Sequence, residues 1–259
     1  MSKYRPSDSC VYVIPDIHGM YDELELILNR ILPLRKTGGS TDILVFLGDY
    51  IDRRASSHKV VDLVMETKAD HPDQVFCILG NHEMMILDAI SPEAKLSHYN
   101  MWMRNGGEAT LSGYMSRAGS DVTDPYYIPR MNIDRFIPKD HVKFFKSLLP
   151  YHETEEFIFV HGGCDPMVPL HRQRADVLAW DRSVYNNVQI MAKNGFKCPW
   201  EKIIITGHSG NVEGKPFIYD KFMMLDGSYA EKLYIWELNS RTGFSARKDN
   251  KRLVKESIT

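Results

Sequence analysis

The stretch Val11-Tyr12-Val13-Ile14-Pro15-Asp16-Ile17-His18-Gly19 reads as a short buried strand that runs out onto an acid, a histidine and a glycine. The same grammar recurs four times. Ile43-Leu44-Val45-Phe46-Leu47 leads into Gly48-Asp49-Tyr50-Ile51-Asp52-Arg53, and Val75-Phe76-Cys77-Ile78-Leu79 into Gly80-Asn81-His82-Glu83. Phe157-Ile158-Phe159-Val160 leads into His161-Gly162-Gly163, and Ile203-Ile204-Ile205-Thr206 into Gly207-His208. Unbroken apolar runs of this kind predict strands covered on both faces, the mark of an α/β fold. Ligands in such folds gather beyond the carboxyl ends of the strands, so five ends carrying Asp, Asn or His are expected to converge.

The spacing agrees. Asp16 and Asp49 stand 33 positions apart and Asp49 and Asn81 stand 32 apart, each about one strand-helix-strand unit. Helices are expected over Tyr21 to Leu32, stopped by Pro33, and over His58 to Thr67. The 80 positions from Asn81 to His161 predict a largely helical insertion at about 84–150, close to the site, within one domain spanning 1–259. It opens with a helix from Met84 to Ile90. Its aromatics (Tyr99, Trp102, Tyr114, Tyr126, Tyr127) suit either core packing or the wall of a substrate pocket.

Composition bounds the rest. The chain has 259 residues, 43% apolar and 25% charged, ample for a sizeable core and too apolar for disorder. Lys plus Arg number 32 against 34 acids, a net charge of −2, which argues against a nucleic-acid duplex as partner. No apolar run reaches the roughly 20 residues of a membrane span. The polar start Met1-Ser2-Lys3-Tyr4-Arg5-Pro6 and the short run Val11 to Ile14 lack a secretory pattern. Cys10, Cys77, Cys164 and Cys198 show no paired metal spacing and no disulfide framework, so a cytoplasmic location is expected. The basic tail Arg247-Lys248, Lys251-Arg252, Lys255 reads as a solvated C-terminus.

The strand-end residues define a chemistry. Asp16 and His18 are two apart, so both project to one side of an extended segment and can hold one metal. A carboxylate has two oxygens, so Asp49 can bridge two ions; Asn81, His161 and His208 can complete a second shell. The donors Asp16, His18, Asp49, Asn81, His161 and His208 are N and O without thiolate, a set suited to Mn²⁺, Fe or Zn²⁺. Two such ions acidify a shared water, giving a hydroxide for in-line attack on phosphorus. Arg53 and Arg182 are candidate phosphate clamps. His82 can protonate the leaving oxygen, oriented by Asp52. His58, His71, His98, His141, His152 and His171 lack a strand-end setting and read as surface or helix positions. Cys164 reads as a small buried residue.

Together, Asp16-x-His18-Gly19, Gly48-Asp49-x-x-Asp52-Arg53, Gly80-Asn81-His82-Glu83, His161-Gly162-Gly163 and Gly207-His208 resemble the signature set of the calcineurin-like metallophosphoesterases. More narrowly, the set is similar to the phosphoprotein-phosphatase branch, which includes bacterial and phage serine/threonine phosphatases and symmetrical diadenosine tetraphosphatases. The resemblance runs from about Val11 to Leu238. It implies a four-layer α-β-β-α sandwich with two mixed β-sheets and a dinuclear site, usually active with Mn²⁺. It implies that Asp16, His18 and Asp49 hold one ion, that Asp49, Asn81, His161 and His208 hold the other, that His82 and Asp52 form the acid pair, and that Arg53 and Arg182 grip phosphate. Gly210 stands where repair nucleases of the wider family carry a second histidine, favouring the phosphatase branch. Arg54 replaces a usual glycine; it is strained if its φ is positive, and otherwise adds a third cation. The loop Ser209 to Pro216 lacks the Thr-Pro often seen. The expected substrate is a phosphorylated protein or peptide, the alternative a dinucleoside polyphosphate. A third possibility is a silent binding module, whose usual mark, a lost ligand or acid, is missing here.

Overall fold

A computed structural model describes residues 9–37, 40–120, 133–247 and 250–257. The chain begins β1 (Val11–Ile14), α1 (Tyr21–Ile31), β2 (Lys36–Thr37), β3 (Ser40–Thr41), β4 (Ile43–Phe46), α2 (Ser57–Asp70) and β5 (Val75–Cys77). The helices α3 (Asn81–Ala89), α4 (Leu96–Trp102), α5 (Glu108–Arg117) and α6 (Lys139–Ser147) follow. Then come β6 (His152–Glu153), β7 (Phe157–Phe159), α7 (Ala175–Trp180), α8 (Ser183–Asn194) and β8 (Ile203–Thr206). Last are β9 (Phe217–Tyr219), β10 (Phe222–Met224), β11 (Lys232–Glu237), β12 (Thr242–Arg247) and β13 (Asn250–Ser257).

Two mixed sheets result. One has the order β13-β12-β11-β1-β4-β5, the other β6-β7-β8-β10-β9, and β2 with β3 forms a small ribbon. The strands β1, β4 and β5 are parallel, while β11 runs antiparallel to β1 and starts an antiparallel extension. In the second sheet β7, β8 and β10 are parallel, with antiparallel edges.

The alternation of side chains along each strand fixes the layers. Val11, Val13, Ile43 and Val45 of the first sheet meet Phe157, Phe159, Ile205 and Met223 of the second. Ile14, Leu44 and Phe46 point the other way, onto Leu24 and Ile27 of α1 and Val60 and Val64 of α2. Ile204, Phe222 and Met224 turn outward onto Leu178 of α7 and Val184 and Val188 of α8. The expected α-β-β-α sandwich is thus present, and the apolar runs are covered by helices on one face and a facing sheet on the other. Each fully buried Leu, Ile, Val or Phe contributes roughly 1.5–3 kcal/mol over leaving it in water.

Some boundaries differ from expectation. The helix α3 starts at Asn81, three residues before Met84, because the Glu83 carboxylate accepts the Gly80 N–H at 3.2 Å and closes the first turn. The helix α2 extends to Ser57 and Asp70. Among the described residues the 84–150 segment is mainly helical, with a kink at Asn105 and Gly106, whose backbone is not helical, joining α4 to α5. Tyr126 and Tyr127 lie outside the described residues. The basic tail forms the edge of the first sheet, since Arg247 ends β12 and Lys251, Arg252 and Lys255 fall in β13; Lys248 lies outside the described residues.

Candidate active site

All five strand ends meet. Asp16 and His18 follow β1, Asp49 follows β4, Asn81 and His82 occupy the first turn of α3 beyond β5, His161 follows β7 and His208 follows β8. Each of these side chains is buried. The backbone is bent sharply to aim them: His18, Asp49, Asp52, Arg53 and His208 all have φ between +45° and +74°. Left-handed backbone at non-glycine residues costs on the order of 1–3 kcal/mol each and persists where the surrounding structure over-determines it.

Asp49 sits at the centre. Its Oδ2 lies 3.5 Å from His18 Nε2 and 3.7 Å from His82 Nε2, and its Oδ1 lies 3.2 Å from His161 Nε2. The His82 main-chain N–H donates to Oδ1 at 3.1 Å, so the carboxylate also faces the positive end of α3. Two buried groups of three donors emerge, His18–Asp49–His82 and Asp49–His161–His208, and both contain Asp49. Asp16 Oδ2 is 3.9 Å from His18 Nε2, and the Asp16 carboxylate accepts the His208 N–H at 2.9 Å. Asn81 Oδ1 is 3.0 Å from His161 Nε2. His82 faces the cluster through Nε2, 3.7 Å from Asp49 Oδ2.

The tautomers are set by the backbone. His18 Nδ1 is paired with the Ile51 carbonyl at 2.8 Å and His161 Nδ1 with the Leu47 carbonyl at 2.7 Å. A carbonyl only accepts, so each Nδ1 carries a proton and each ring turns Nε2 toward the cluster; in His18, held neutral by burial, that Nε2 is a lone pair.

Electrostatics follow from crowding. Burial, then His82, holds His18 well below the usual histidine range. Burial and His161 push His208 down to about 3. Burial works against ionisation of Asp49, but His161, His82 and His18 outweigh it and keep the carboxyl well below the carboxylate range. Burial and the charge of Asp226 raise Asp16. Burial works against a charge on His161 and on His82, yet Asp49 and other neighbours win in both cases; His161 rises to about 10 and His82 is raised.

The donor set fits divalent metal. His18 Nε2 and His208 Nε2 are buried and have no hydrogen-bond partner, an arrangement that costs roughly 1–3 kcal/mol per group unless a ligand satisfies it. The carboxylates that pull on His161 exert the attraction a cation satisfies. Imidazole nitrogens with carboxylate and amide oxygens suit Zn²⁺, Mn²⁺ or Fe.

The flanking groups are in place. His82 Nδ1 is 2.6 Å from Asp52 Oδ2, an N–H donating to a buried carboxylate. Arg53 reaches Ser228 Oγ at 3.3 Å and lies 5.1 Å over the Tyr229 ring. Arg182 precedes α8, and its charge is felt at His208. Arg54 is outside the left-handed region, so the strained alternative falls; its Nη1 donates to the His18 carbonyl at 3.0 Å. Cys164 is buried against the second sheet.

Sequence reasoning missed several supports. Glu83 accepts the N–H groups of Asp49 and Tyr50, each at 2.9 Å. Asp226 accepts the Gly210 N–H at 3.0 Å and the Ser228 N–H at 2.7 Å. His141 is a helix position, as expected, but is fully buried in α6 between Tyr114 and Asp62, while His152 lies in β6 and stacks on Phe76 of β5; neither belongs to the cluster.

A shared carboxylate between two buried histidine groups, at the ends of two facing mixed sheets, defines a candidate bimetallic centre. Residues 11–234 match the family model described as calcineurin-like phosphoesterase, and the chain belongs to that family. A zinc-dependent endopolyphosphatase of Saccharomyces cerevisiae is 37% identical over 93 residues, 35% of this chain and 24% of that protein. A PP2A-like serine/threonine-protein phosphatase of Candida albicans is 41% identical over 78 residues, 29% of this chain and 17% of that protein. The matched segments thus span a quarter or less of these two curated relatives. Among solved structures, a candidate diadenosine tetraphosphatase aligns with TM-score 0.55 at 16% identity, covering 98% of this chain and 95% of that one. A Saccharomyces cerevisiae serine/threonine phosphatase aligns with TM-score 0.52 at 19% identity, covering 96% and 79%. Identities this low establish the fold alone.

Proposed function

We propose that the chain is a metal-dependent phosphoester hydrolase acting on phosphorylated protein or peptide, phosphoserine or phosphothreonine first. The observation that carries this reading is Asp49, a buried carboxylate whose Oδ2 faces His18 Nε2 at 3.5 Å and whose Oδ1 faces His161 Nε2 at 3.2 Å. Asp16, His18 and Asp49 hold one divalent cation, and Asp49, Asn81, His161 and His208 the other. Mn²⁺ is the proposed metal, with Fe or Zn²⁺ matching the donors equally in kind; the zinc-dependent endopolyphosphatase is a relative that uses zinc. Bound there, such cations supply Lewis acidity to the phosphoryl group and acidify water.

The chain's own residues do the rest. Arg53 and Arg182 bind and orient phosphoryl oxygens, with Arg53 steadied by Ser228. His82 holds a proton at Nε2 and delivers it to the departing oxygen, while Asp52 fixes the ring through Nδ1. The raised pKa of His82 supports the donor role. Gly210, in place of a second histidine after His208, supports the phosphatase branch over the nucleases. The serine/threonine phosphatases among the partial sequence relatives agree. Among the described residues no helix is long and apolar enough to cross a membrane. A cytoplasmic location is part of the proposal, supported by four free cysteines.

One observation favours a second reading, hydrolysis of dinucleoside polyphosphates. Trp180 and Tyr229 are 40% and 51% exposed beside His208 and Arg53, where a base can stack. Parallel kcat/KM measurements on a phosphoserine peptide and on diadenosine tetraphosphate separate the two. The phosphopeptide is expected to lead, and a much higher value on the dinucleotide would reverse the order.

A further inference from the structure

Asp52 is held at both oxygens. Oδ2 meets His82 Nδ1, and Oδ1 accepts the indole N–H of Trp102 at 3.0 Å. Trp102 ends α4, in the insertion, and is completely buried, as is Asp52. The same insertion grips the backbone of the turn. The Asp52 N–H donates to Thr110 Oγ1 at 2.8 Å, and the Arg53 N–H donates to the Gly106 carbonyl at 3.0 Å. Gly106 has φ +98°, and a Cβ there would stand 2.7 Å from the Arg53 nitrogen. A Cβ on Gly107 would stand 2.7 Å from the Trp102 ring, so this close packing is open only to glycine. Thus Trp102-x-x-x-Gly106-Gly107-x-x-Thr110, dispersed over α4, the kink after it and α5, closes on one carboxylate and the residue after it.

The chemical consequence lies in Asp52. A buried carboxylate with one oxygen free can rotate or seek another donor. With Oδ1 fixed by an indole, Oδ2 has a single orientation, and the imidazole bonded to it has a single plane. That plane decides where Nε2 points.

We propose that Trp102 is a positioning residue for proton delivery: its indole N–H fixes Asp52, which fixes His82 with Nε2 toward the scissile bond. The proposal rests on the reading of His82 as the proton donor. In the step concerned, a water oxygen forms the new bond to phosphorus and the bond to the leaving oxygen breaks. The attacking water releases one proton to solvent, the leaving oxygen keeps the electron pair and takes the His82 Nε2 proton, and the imidazole regains a proton from solvent, so no proton is consumed overall. Trp102 touches neither substrate nor metal; it acts through Asp52.

The test uses the full chain loaded with Mn²⁺ and a series of phosphate monoesters, from 2,4-dinitrophenyl through 4-nitrophenyl to phenyl phosphate. Proton delivery matters little for a good leaving group and much for a poor one. The variants are H82N, W102F and an isosteric replacement of Trp102 by 3-benzothienylalanine, which exchanges the N–H for sulfur and keeps the shape. H82N is expected to lose progressively more kcat along the series. Both Trp102 variants should repeat that trend at smaller amplitude, losing about tenfold on phenyl phosphate from one missing charge-assisted bond. An equal loss across the series in the Trp102 variants, beside a graded loss in H82N, would mean that Trp102 only packs. An ungraded loss in H82N would remove the donor reading and this proposal with it. Retention of the graded defect by the benzothienyl variant at wild-type Tm would bear the proposal out.

Discussion

The Glu83 carboxylate, fully buried in the first turn of α3, accepts the main-chain N–H groups of Asp49 and Tyr50 at 2.9 Å each. One side chain thereby ties the turn after β4 to the start of the helix after β5, and sets the distance between two of the site's segments. Glu83→Gln replaces an acceptor by an amide whose NH₂ faces N–H donors. A loss of about 1–3 kcal/mol is expected in urea unfolding, the cost of leaving buried donors unpaired. Unchanged stability would show that the turn holds itself.

Arg53 is exposed, yet its guanidinium is located by Ser228 and Tyr229. Arg53→Ala should raise the inhibition constant of inorganic phosphate about tenfold or more, the worth of one or two charge-assisted hydrogen bonds. An inhibition constant equal to wild type would place the anion elsewhere.

A Cβ added at Gly210 would lie 2.4 Å from Asp226 Oδ2, the oxygen that accepts the Gly210 N–H. Gly210→Ala is expected to cost about 1–3 kcal/mol as an overpacking change, read as a lower Tm. Gly210→His should fare no better, so the nuclease-like second histidine cannot simply be restored. A wild-type Tm for either variant would contradict the packing described.

His152, away from the cluster, stacks on Phe76 at 3.7 Å between ring centres, and burial with nearby Lys68 lowers its pKa to about 4. Its folded pKa lies below the unfolded 6.5, so the fold favours neutral imidazole. The stability it contributes is present above pH 6.5 and is lost as pH falls from there through about 4. The slope of Tm over that window should shrink in His152→Phe, which keeps a ring against Phe76. An equal slope in both proteins would assign the acid sensitivity to other groups.

Much of the site was legible because strand ends announce themselves: an apolar run followed by Asp, Asn or His needs no tertiary knowledge to read. The two sheets were harder. The edge strands β12 and β13 are rich in polar and charged residues, as in Asn250-Lys251-Arg252-Leu253-Val254-Lys255-Glu256-Ser257, and a sheet edge of this kind resembles a polar tail until it pairs with β1 through β11. The supports stayed hidden for another reason. Glu83, Trp102 and Asp226 act on groups 34, 50 and 16 positions away, and no local pattern marks a carboxylate or indole as the partner of a distant backbone. Trp102 could be placed in the insertion but not distinguished from an ordinary core aromatic. The orientation of His82 toward Asp49 likewise depends on where α3 begins, which Glu83 decides.

The most direct measurement is metal stoichiometry, by elemental analysis of the purified chain after Mn²⁺ loading and desalting, in wild type and Asp49→Asn. Asp49 belongs to both donor groups, so wild type should carry two ions per chain and the variant should lose both, with hydrolysis of 4-nitrophenyl phosphate falling in parallel. Two ions retained in Asp49→Asn, or none above background in wild type, would contradict the shared-carboxylate centre.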